Sequence, residues 1–331
     1  MVDDHGTAFR GSFAGHRADP IEAVASMTIP PAPDPAATGG LLACVVLAHT
    51  DPVHLHRLVR ALDPFPVYLH VDIRTPPDIH RAMVSGLPDY CRLLPRIATG
   101  WARWENVAAE IAGYRAALAE QPLTHVALLT GTDYPLASTE SIRELLGRHP
   151  TSTFAEVNPL PYAQWGRSGG MARLRYPHWA HQKRMIRVPI PRRLPAGIRF
   201  AGGSQLKILA SRHAQAVVDT TDGRPDLVRF WARSWIADET YIPSLLNSPN
   251  VVPDLAQHLV PMMPWWIGWD GAARKSPPWL SLRDYDAIRS RRLLDSDPEP
   301  RLFARKFSTD LSTELLDAID ATMREPGGQL G

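Results

Sequence analysis

The stretch Leu41 to Asp72, "LLACVVLAHTDPVHLHRLVRALDPFPVYLHVD", decides the fold. It opens with a continuous apolar run of strand length, "LLACVVLAH". The following "DPVHLHRLVRAL" places Leu55, Leu58, Val59 and Leu62 on one helical face, and "FPVYLHVD" reads as a second strand ending in Asp72. Strand, helix and strand in this order make a β-α-β unit, whose crossover suits a parallel sheet. The turn "LAHTDP" after the first strand lacks the G-x-G-x-x-G pattern, which argues against an NAD-dependent oxidoreductase.

The same alternation continues outward. "WARWENVAAEIAGYRAAL" spaces Trp104, Val107, Ile111, Tyr114 and Leu118 at helical intervals, with Trp104 read as core, and "THVALLTG" is the next buried strand. "STESIRELLG" predicts a helix with Ser138 or Thr139 as N-cap and Gly147 as C-cap, and "STFAEV" predicts one more strand. The fold class is therefore α/β, an open, mostly parallel Rossmann-type sheet flanked by helices. From Asn158 to Phe200, Pro, Arg, Trp and His crowd together, which predicts long ordered loops over the sheet rather than a second domain. "GGSQLKILASRHAQAVVD" gives a glycine turn, a short strand and a helix, and a further helix is predicted from near Asp238 with Pro243 in its early turns. Residues 1–39, rich in Pro, Ala, Gly and Asp, are expected to be a flexible lead-in. The domain is expected over 40–310, with a C-terminal helix and tail over 311–331.

Composition bounds the function. Of 331 residues, 44% are hydrophobic and 21% charged, enough apolar material for one large core or two modest ones in a soluble globular protein. The 36 basic and 34 acidic side chains are too balanced for a protein whose main partner is nucleic acid. No run approaches the roughly 20 apolar residues that span a bilayer. The opening "MVDDHGTAFRGSF" lacks the order of a secretion signal, so a cytoplasmic location is the expectation. Cys44 and Cys91 make no metal-type spacing and read as packed apolar residues. The Ala-, Arg- and Pro-rich composition points to a high-GC bacterial coding sequence.

The chemistry is sought at the carboxyl ends of the strands, where open α/β sheets hold their ligands. In "HVALLTGTDYPL", His125 to Leu136, one acid stands there, Asp133. A metal-dependent nucleotide-sugar enzyme would show two carboxylates one residue apart to grip a divalent cation, and this chain offers one. The histidines of "HTDPVHLH" and "HWAHQK" do not pair with acids at a recognised metal spacing. "GGSQLK" is not a nucleophile elbow, because no glycine follows the serine at the required interval.

Seven segments in order, "VVLAHTDPVHLHRLVRAL", "VYLHVD", "GWARWENVAAE", "LLTGTDYPL", "GGSQLKIL", "ADETYIPSLLNS" and "LFARKF", resemble the core-2/I-branching β-1,6-N-acetylglucosaminyltransferases and the related protein xylosyltransferases. The resemblance runs from Val45 to Phe307 and implies a GT-A-like fold and an inverting, metal-independent transfer from a UDP-sugar, with N-acetylglucosamine the favoured sugar. The acceptor expected is a small molecule or glycan of secondary-metabolite or cell-surface biosynthesis, with no cofactor.

That resemblance also assigns residues. Lys306, beside Arg305, falls on the cation that grips the diphosphate. A second cation falls on Lys275, with Arg274 beside it. Fixed cations can offset charge on a leaving diphosphate as a metal would. Glu239 in "WIADETYIP" falls on the catalytic base, although an N-cap at Asp238 and a first-turn acid at Glu239 fit the same residues. Asp72 falls near the nucleoside, and Thr130 and Asp133 are expected to face the donor. Trp101 begins a segment in which Ala102 and Arg103 replace two family glycines. Glu156, Arg173 and Arg175 fall where the acceptor is bound, and Trp266 and Trp269 offer rings on which a sugar could stack. The runner-up is a non-catalytic sugar-nucleotide or glycan-binding protein on the same fold.

Overall fold

The computed structural model describes residues 42–119, 123–181, 184–269, 276–290 and 298–324, so the expected lead-in of residues 1–39 lies outside the described residues. The described residues belong to one compact unit. Its first half runs β1 (Leu42–Ala48), α1 (Pro52–Ala61), β2 (Val67–Val71), α2 (Pro77–Val84), β3 (Cys91–Leu93), α3 (Trp104–Leu118) and β4 (His125–Thr130). Next come β5 (Asp133–Pro135), α4 (Thr139–Arg148), β6 (Thr153–Phe154), β7 (Asn158–Pro159), α5 (Met171–Arg175), β8 (His178–His181) and β9 (Arg184–Arg187). The remainder is β10 (Ala201–Gly202), β11 (Ile208–Ala210), α6 (Ser211–Gly223), α7 (Pro225–Trp231), α8 (Tyr241–Leu246), α9 (Leu255–His258), β12 (Leu259–Val260), β13 (Trp265–Ile267), α10 (Tyr285–Ser290), β14 (Phe303–Arg305) and α11 (Thr309–Thr322).

The central sheet has seven strands in the order β12-β6-β11-β4-β1-β2-β3, and β11 alone runs antiparallel to its neighbours. This is the mostly parallel α/β sheet of a GT-A-like fold, as the alternation of strands and helices predicts. Strand β1 shows why its sequence is apolar throughout. Leu42, Cys44, Val46 and Ala48 point into a core shared with α1, α4 and α11, whereas Ala43 and Val45 point into a second core shared with α3, α6 and α8. A strand buried on both faces cannot alternate apolar with polar. Cys44 and Cys91 are free thiols, packed as expected.

Several expectations change. Ser138 does cap α4, accepting from the Ser141 N–H at 3.1 Å, but Gly147 lies inside the last turn and His149 is the C-cap. Between Asn158 and Phe200 the chain forms short elements, including the β8–β9 ribbon, where only loops are predicted. The helix expected near Asp238 starts at Tyr241, after a 3-10 turn over Ala237–Glu239. Helix α11 is not an appendage of the domain. Its Leu315, Leu316 and Ile319 join the core of β1, and Asp51, the N-cap of α1, accepts from both Thr309 N (2.7 Å) and Thr309 Oγ1 (2.6 Å) at the start of α11.

A second, three-stranded sheet, β13-β14-β5, pairs residues far apart in sequence, with Arg305 opposite Asp133 and beside Ile267. It brings the C-terminal "ARKF" against the end of β4.

Helix α3 lies flush on the sheet at Gly113, where a Cβ would come 2.3 Å from Val45 Cγ1. Alanine there gains about 1 kcal/mol of helix propensity but overpacks the core at a cost of about 1–3 kcal/mol. Gly113→Ala is therefore expected to lower stability, read as a lower urea midpoint at an unchanged slope.

Candidate active site

The chain leaves β1 toward β2 and β3 on one side and returns to β4 on the other, so β1 and β4 flank the point where strand order reverses. That is where an open α/β sheet leaves a crevice. A cleft of about 700 Å³ opens there, lined by Ala48 and His49 from the end of β1 and by Thr130 and Gly131 from the end of β4. Gly131 has no alternative residue at this approach, since a Cβ would lie 2.8 Å from Ala48 Cβ.

One end of the cleft is built on Asp72. Its carboxylate accepts from Arg74 N (2.7 Å), Arg74 Nε (3.0 Å), Arg74 Nη2 (2.7 Å) and Thr99 Oγ1 (2.5 Å). Burial works against the charge, but these donors outweigh it and hold the carboxyl below its usual range. Asp72 thus fixes Arg74, whose side chain is 57% exposed at the cleft wall. Trp101, also more than half exposed, lines the same end. Beside it Ala102 is buried with φ 61°, a left-handed conformation that glycine adopts more readily. The chain keeps the glycine-type backbone there with a Cβ in place.

The opposite wall carries Arg305 and Lys306. Lys306 Nζ donates to Ser276 Oγ at 3.3 Å and lies 4.2 Å from the centre of the Trp279 ring. Its backbone is pinned, its carbonyl accepting from Leu280 N while the next residue's N–H donates to Thr132 O. Burial pushes the ammonium below its usual range, and the neighbouring Arg305 adds to the shift against a smaller pull from Asp133. Two crowded cations are relieved when an anion arrives. Lys275 and Arg274 lie outside the described residues.

Asp133, expected at the cleft, does not line it. It is fully buried and accepts from Thr130 N (3.0 Å), Thr130 Oγ1 (2.6 Å) and Trp265 Nε1 (3.0 Å). Arg305 Nε approaches Oδ1, the oxygen that also accepts from Thr130 Oγ1, at 3.5 Å. The acid therefore sits behind the cleft wall, as the counter-charge of the cation strand. Thr130 does reach the cleft.

Between these ends lies Glu239, on the short 3-10 turn that Ile236 enters with φ 54°. A left-handed β-branched residue is unfavourable and is held here by its surroundings. Glu239 Oε2 accepts from Arg173 Nη1 at 2.5 Å, and the Arg173 guanidinium lies 4.0 Å from the Trp165 ring centre. Glycines set this geometry. A Cβ on Gly202 would strike the Trp165 ring at 2.2 Å, and one on Gly203 would fall 1.9 Å from the Glu156 carbonyl oxygen. Gly203 N donates to Glu239 O at 3.0 Å, and Ser204 N donates to Glu156 Oε2 at 3.2 Å. Burial raises the Glu156 carboxyl above its usual range, the Ser204 N–H opposes this, and Glu239 adds to it. Glu156 thus stands just behind the lining. Arg175 is exposed and turned away from the cleft, because residues two apart on α5 face different sides. Trp269 is 54% exposed on the cleft wall, whereas Trp266 is buried.

Asp238 is not a helix cap. It lies buried in the 3-10 turn and lines the floor of the cleft, and its Oδ1 has no hydrogen-bond partner among the described residues. Burial and then the Glu239 charge push its carboxyl up to about 6, with the Asn106 side chain opposing the shift. Beneath it, Lys207 Nζ and Glu110 Oε1 form a fully buried ion pair at 2.8 Å, and the Tyr114 hydroxyl donates to the same oxygen at 2.7 Å. Sequence reading did not single out Arg74, Thr99 or this ion pair, and weighed His49 only as a metal ligand. Position after a strand end was a usable signal for Arg74 and His49, but none existed for Lys207 and Glu110, 97 residues apart. Among the described residues no cluster of three His, Cys, Asp or Glu could hold a metal ion.

The sequence pattern of the Core-2/I-Branching enzyme family matches residues 43–289. The chain belongs to the Core-2/I-branching enzyme family, a family of glycosyltransferases. The chain is also similar to xylosyltransferase 1 of Homo sapiens, 24% identical over 290 residues, covering 80% of this chain and 28% of that protein. Xylosyltransferase 2 of Homo sapiens is 24% identical over 282 residues, covering 80% and 31%. The chain thus spans less than a third of the length of these relatives. No helix among the described residues is long and apolar enough to cross a membrane.

Asp238 gives this family member a pH signature. An unfolded Asp ionises near 3.8 and Asp238 only near 6, so the folded form retains a proton that the unfolded form has lost. Its contribution therefore falls as pH rises from about 4 to about 6, by about 3 kcal/mol. Buried histidines such as His125, pushed down to about 4, tilt the total profile the other way, so the difference between proteins is the readout. Asp238→Asn is expected to gain stability relative to the parent across that window, followed by urea unfolding at a series of pH values.

Proposed function

We propose that this protein is an inverting glycosyltransferase that moves a sugar from a UDP-sugar, with N-acetylglucosamine the favoured sugar, to an acceptor hydroxyl without a divalent metal. One observation carries the reading: a single cleft at the switch point brings Asp72 with Arg74, the Arg305 and Lys306 cations, and Glu239 onto facing walls. The family match and the xylosyltransferase relatives support sugar transfer as the reaction class.

The geometry suits a single displacement. The uridine end lies toward Asp72 and Arg74, and the diphosphate lies against Lys306 and Arg305. Arg173 holds Glu239 Oε2, which leaves Oε1 for the acceptor hydroxyl. As the acceptor oxygen attacks the anomeric carbon, Glu239 takes its proton, and the bond to the diphosphate oxygen breaks on the opposite face, inverting the anomeric centre. Negative charge grows on the departing UDP and is met by two cations whose positions the fold has fixed in advance. The carboxylates near the ring also favour the oxocarbenium character of the transition state. Trp269 and Trp101 offer exposed faces for the sugar or acceptor.

Glu239→Gln is expected to lower kcat by about 10²- to 10⁴-fold in a UDP-release assay while UDP affinity stays within about two-fold. Lys306→Met is expected to do the reverse in part, weakening UDP binding about ten-fold or more. A glutamine variant that turns over at the parental rate would remove Glu239 from the base role and favour a binding protein.

A further inference from the structure

From Val157 to Val218 the chain has no acidic residue, yet it carries eleven Lys or Arg. Four of these have internal work. Arg173 pairs with Glu239, Lys207 with Glu110 and Arg212 with Asp254, and Arg192 donates to the carbonyls of Leu174 and Phe230. Arg167, Arg175, Arg187, Arg193 and Arg199 are exposed and make no ion pair among the described residues. Without an ion pair among the described residues these charges add little to the fold, which leaves them open to an anion outside it.

The same segment exposes apolar surface. Trp179 and Ile186 are direct partners across the β8–β9 ribbon, which places both side chains on one face. They are 44% and 50% exposed, and Ile190 just beyond is 68% exposed. No third strand among the described residues joins this ribbon. The Arg233 guanidinium lies 5.5 Å from the Trp179 ring centre, and Arg187 lies 5.2 Å from that of Tyr176. Trp179 and Ile186, with the exposed Arg233 guanidinium against the indole, form an apolar patch with a cation at its edge, and Arg187, next to Ile186 along β9, starts from the opposite face of the ribbon.

We propose that the β8–β9 ribbon docks the protein on an anionic lipid bilayer, with Trp179, Ile186 and Ile190 entering the headgroup region, Arg233 meeting lipid phosphates beside Trp179, and the exposed Arg175 and Arg187 adding attraction to the negative surface. Tryptophan favours the interfacial layer, where its ring is buried and its N–H stays hydrated, and arginines beside it gain from the negative surface potential. A bilayer meets arginines scattered over a ribbon without matching their geometry, whereas a protein partner needs acids placed one by one. The attachment is peripheral. Helix α5, which carries Arg173 into the cleft, ends two residues before β8, so docking brings the Glu239 end of the cleft toward the lipid surface. Only that last consequence rests on the proposed transfer reaction.

The test is co-sedimentation of the full chain with phosphatidylcholine vesicles and with phosphatidylcholine–phosphatidylglycerol vesicles. The protein is expected to pellet with the anionic vesicles and not the neutral ones, and raising salt from about 0.05 M to about 0.5 M should release it. Arg187→Glu is expected to weaken binding about five-fold or more, and Trp179→Ala with Ile186→Ser about ten-fold or more. UDP release measured without vesicles should be unchanged in these variants, which separates loss of docking from failure of the transfer reading. Failure to pellet with anionic vesicles overturns the proposal. So does sedimentation that survives both sets of substitutions, or preferential capture of an acidic protein or RNA added in competition.

Discussion

The buried carboxylate of Asp133 is the contact on which the site depends. It stands at the end of "LLTGTD", where a metal-dependent relative of this architecture would present acids to a cation, yet it is fully buried and turned to its own chain. Across the β5–β14 pairing it faces Arg305, and the next residue is Lys306. A lone buried acid is costly unless hydrogen-bonded and paired, and Thr130, Trp265 and Arg305 meet that condition together. The arrangement turns a negative charge in the core into a fixed positive one at the cleft wall.

That fastening acts between parts of the chain some 170 residues apart, and its position follows from topology. The order β4-β1-β2 leaves a crevice at the carboxyl ends of β1 and β4, and Asp72, His49 and Thr130 reach it without any special loop. The second wall has to be imported, because the main sheet supplies only the first. Strand β14 brings the cations from one direction, and the Gly202–Gly203–Ser204 turn brings Trp165, Glu156 and Glu239 together from the other. Glycine at 203 is obligatory for contact with the Glu156 carbonyl, which explains a paired glycine at a site with no phosphate-binding loop.

How much of this could be read from the sequence varied with distance along the chain. Strands β1, β2 and β4 and helices α1 and α3 were legible, because a strand buried on both faces and a helix with one apolar face leave local periods. The antiparallel insertion of β11 and the pairing of β14 with β5 leave no such period, since each depends on a partner far away. Orientation was the other blind spot. Arg173 and Arg175 look alike in "MARLRY", but a five-residue helix sends one into the cleft and the other to solvent. Asp238 matched a cap by residue type, yet a 3-10 turn buried it instead. The lone acid in "GTDYPL" could be located at a strand end, but nothing local shows which way its carboxylate turns.

Neutralisation of the proposed donor's diphosphate by Lys306 and by Arg305, which Asp133 pairs, is read most directly in a calorimetric titration of the metal-stripped chain with UDP in EDTA, run for the parent and Asp133→Asn. The parent is expected to bind within about two-fold of its affinity in added Mn²⁺, and the folded asparagine variant about ten-fold more weakly or worse. Binding that appears only when Mn²⁺ is restored, or that is indifferent to the Asp133 charge, would contradict it.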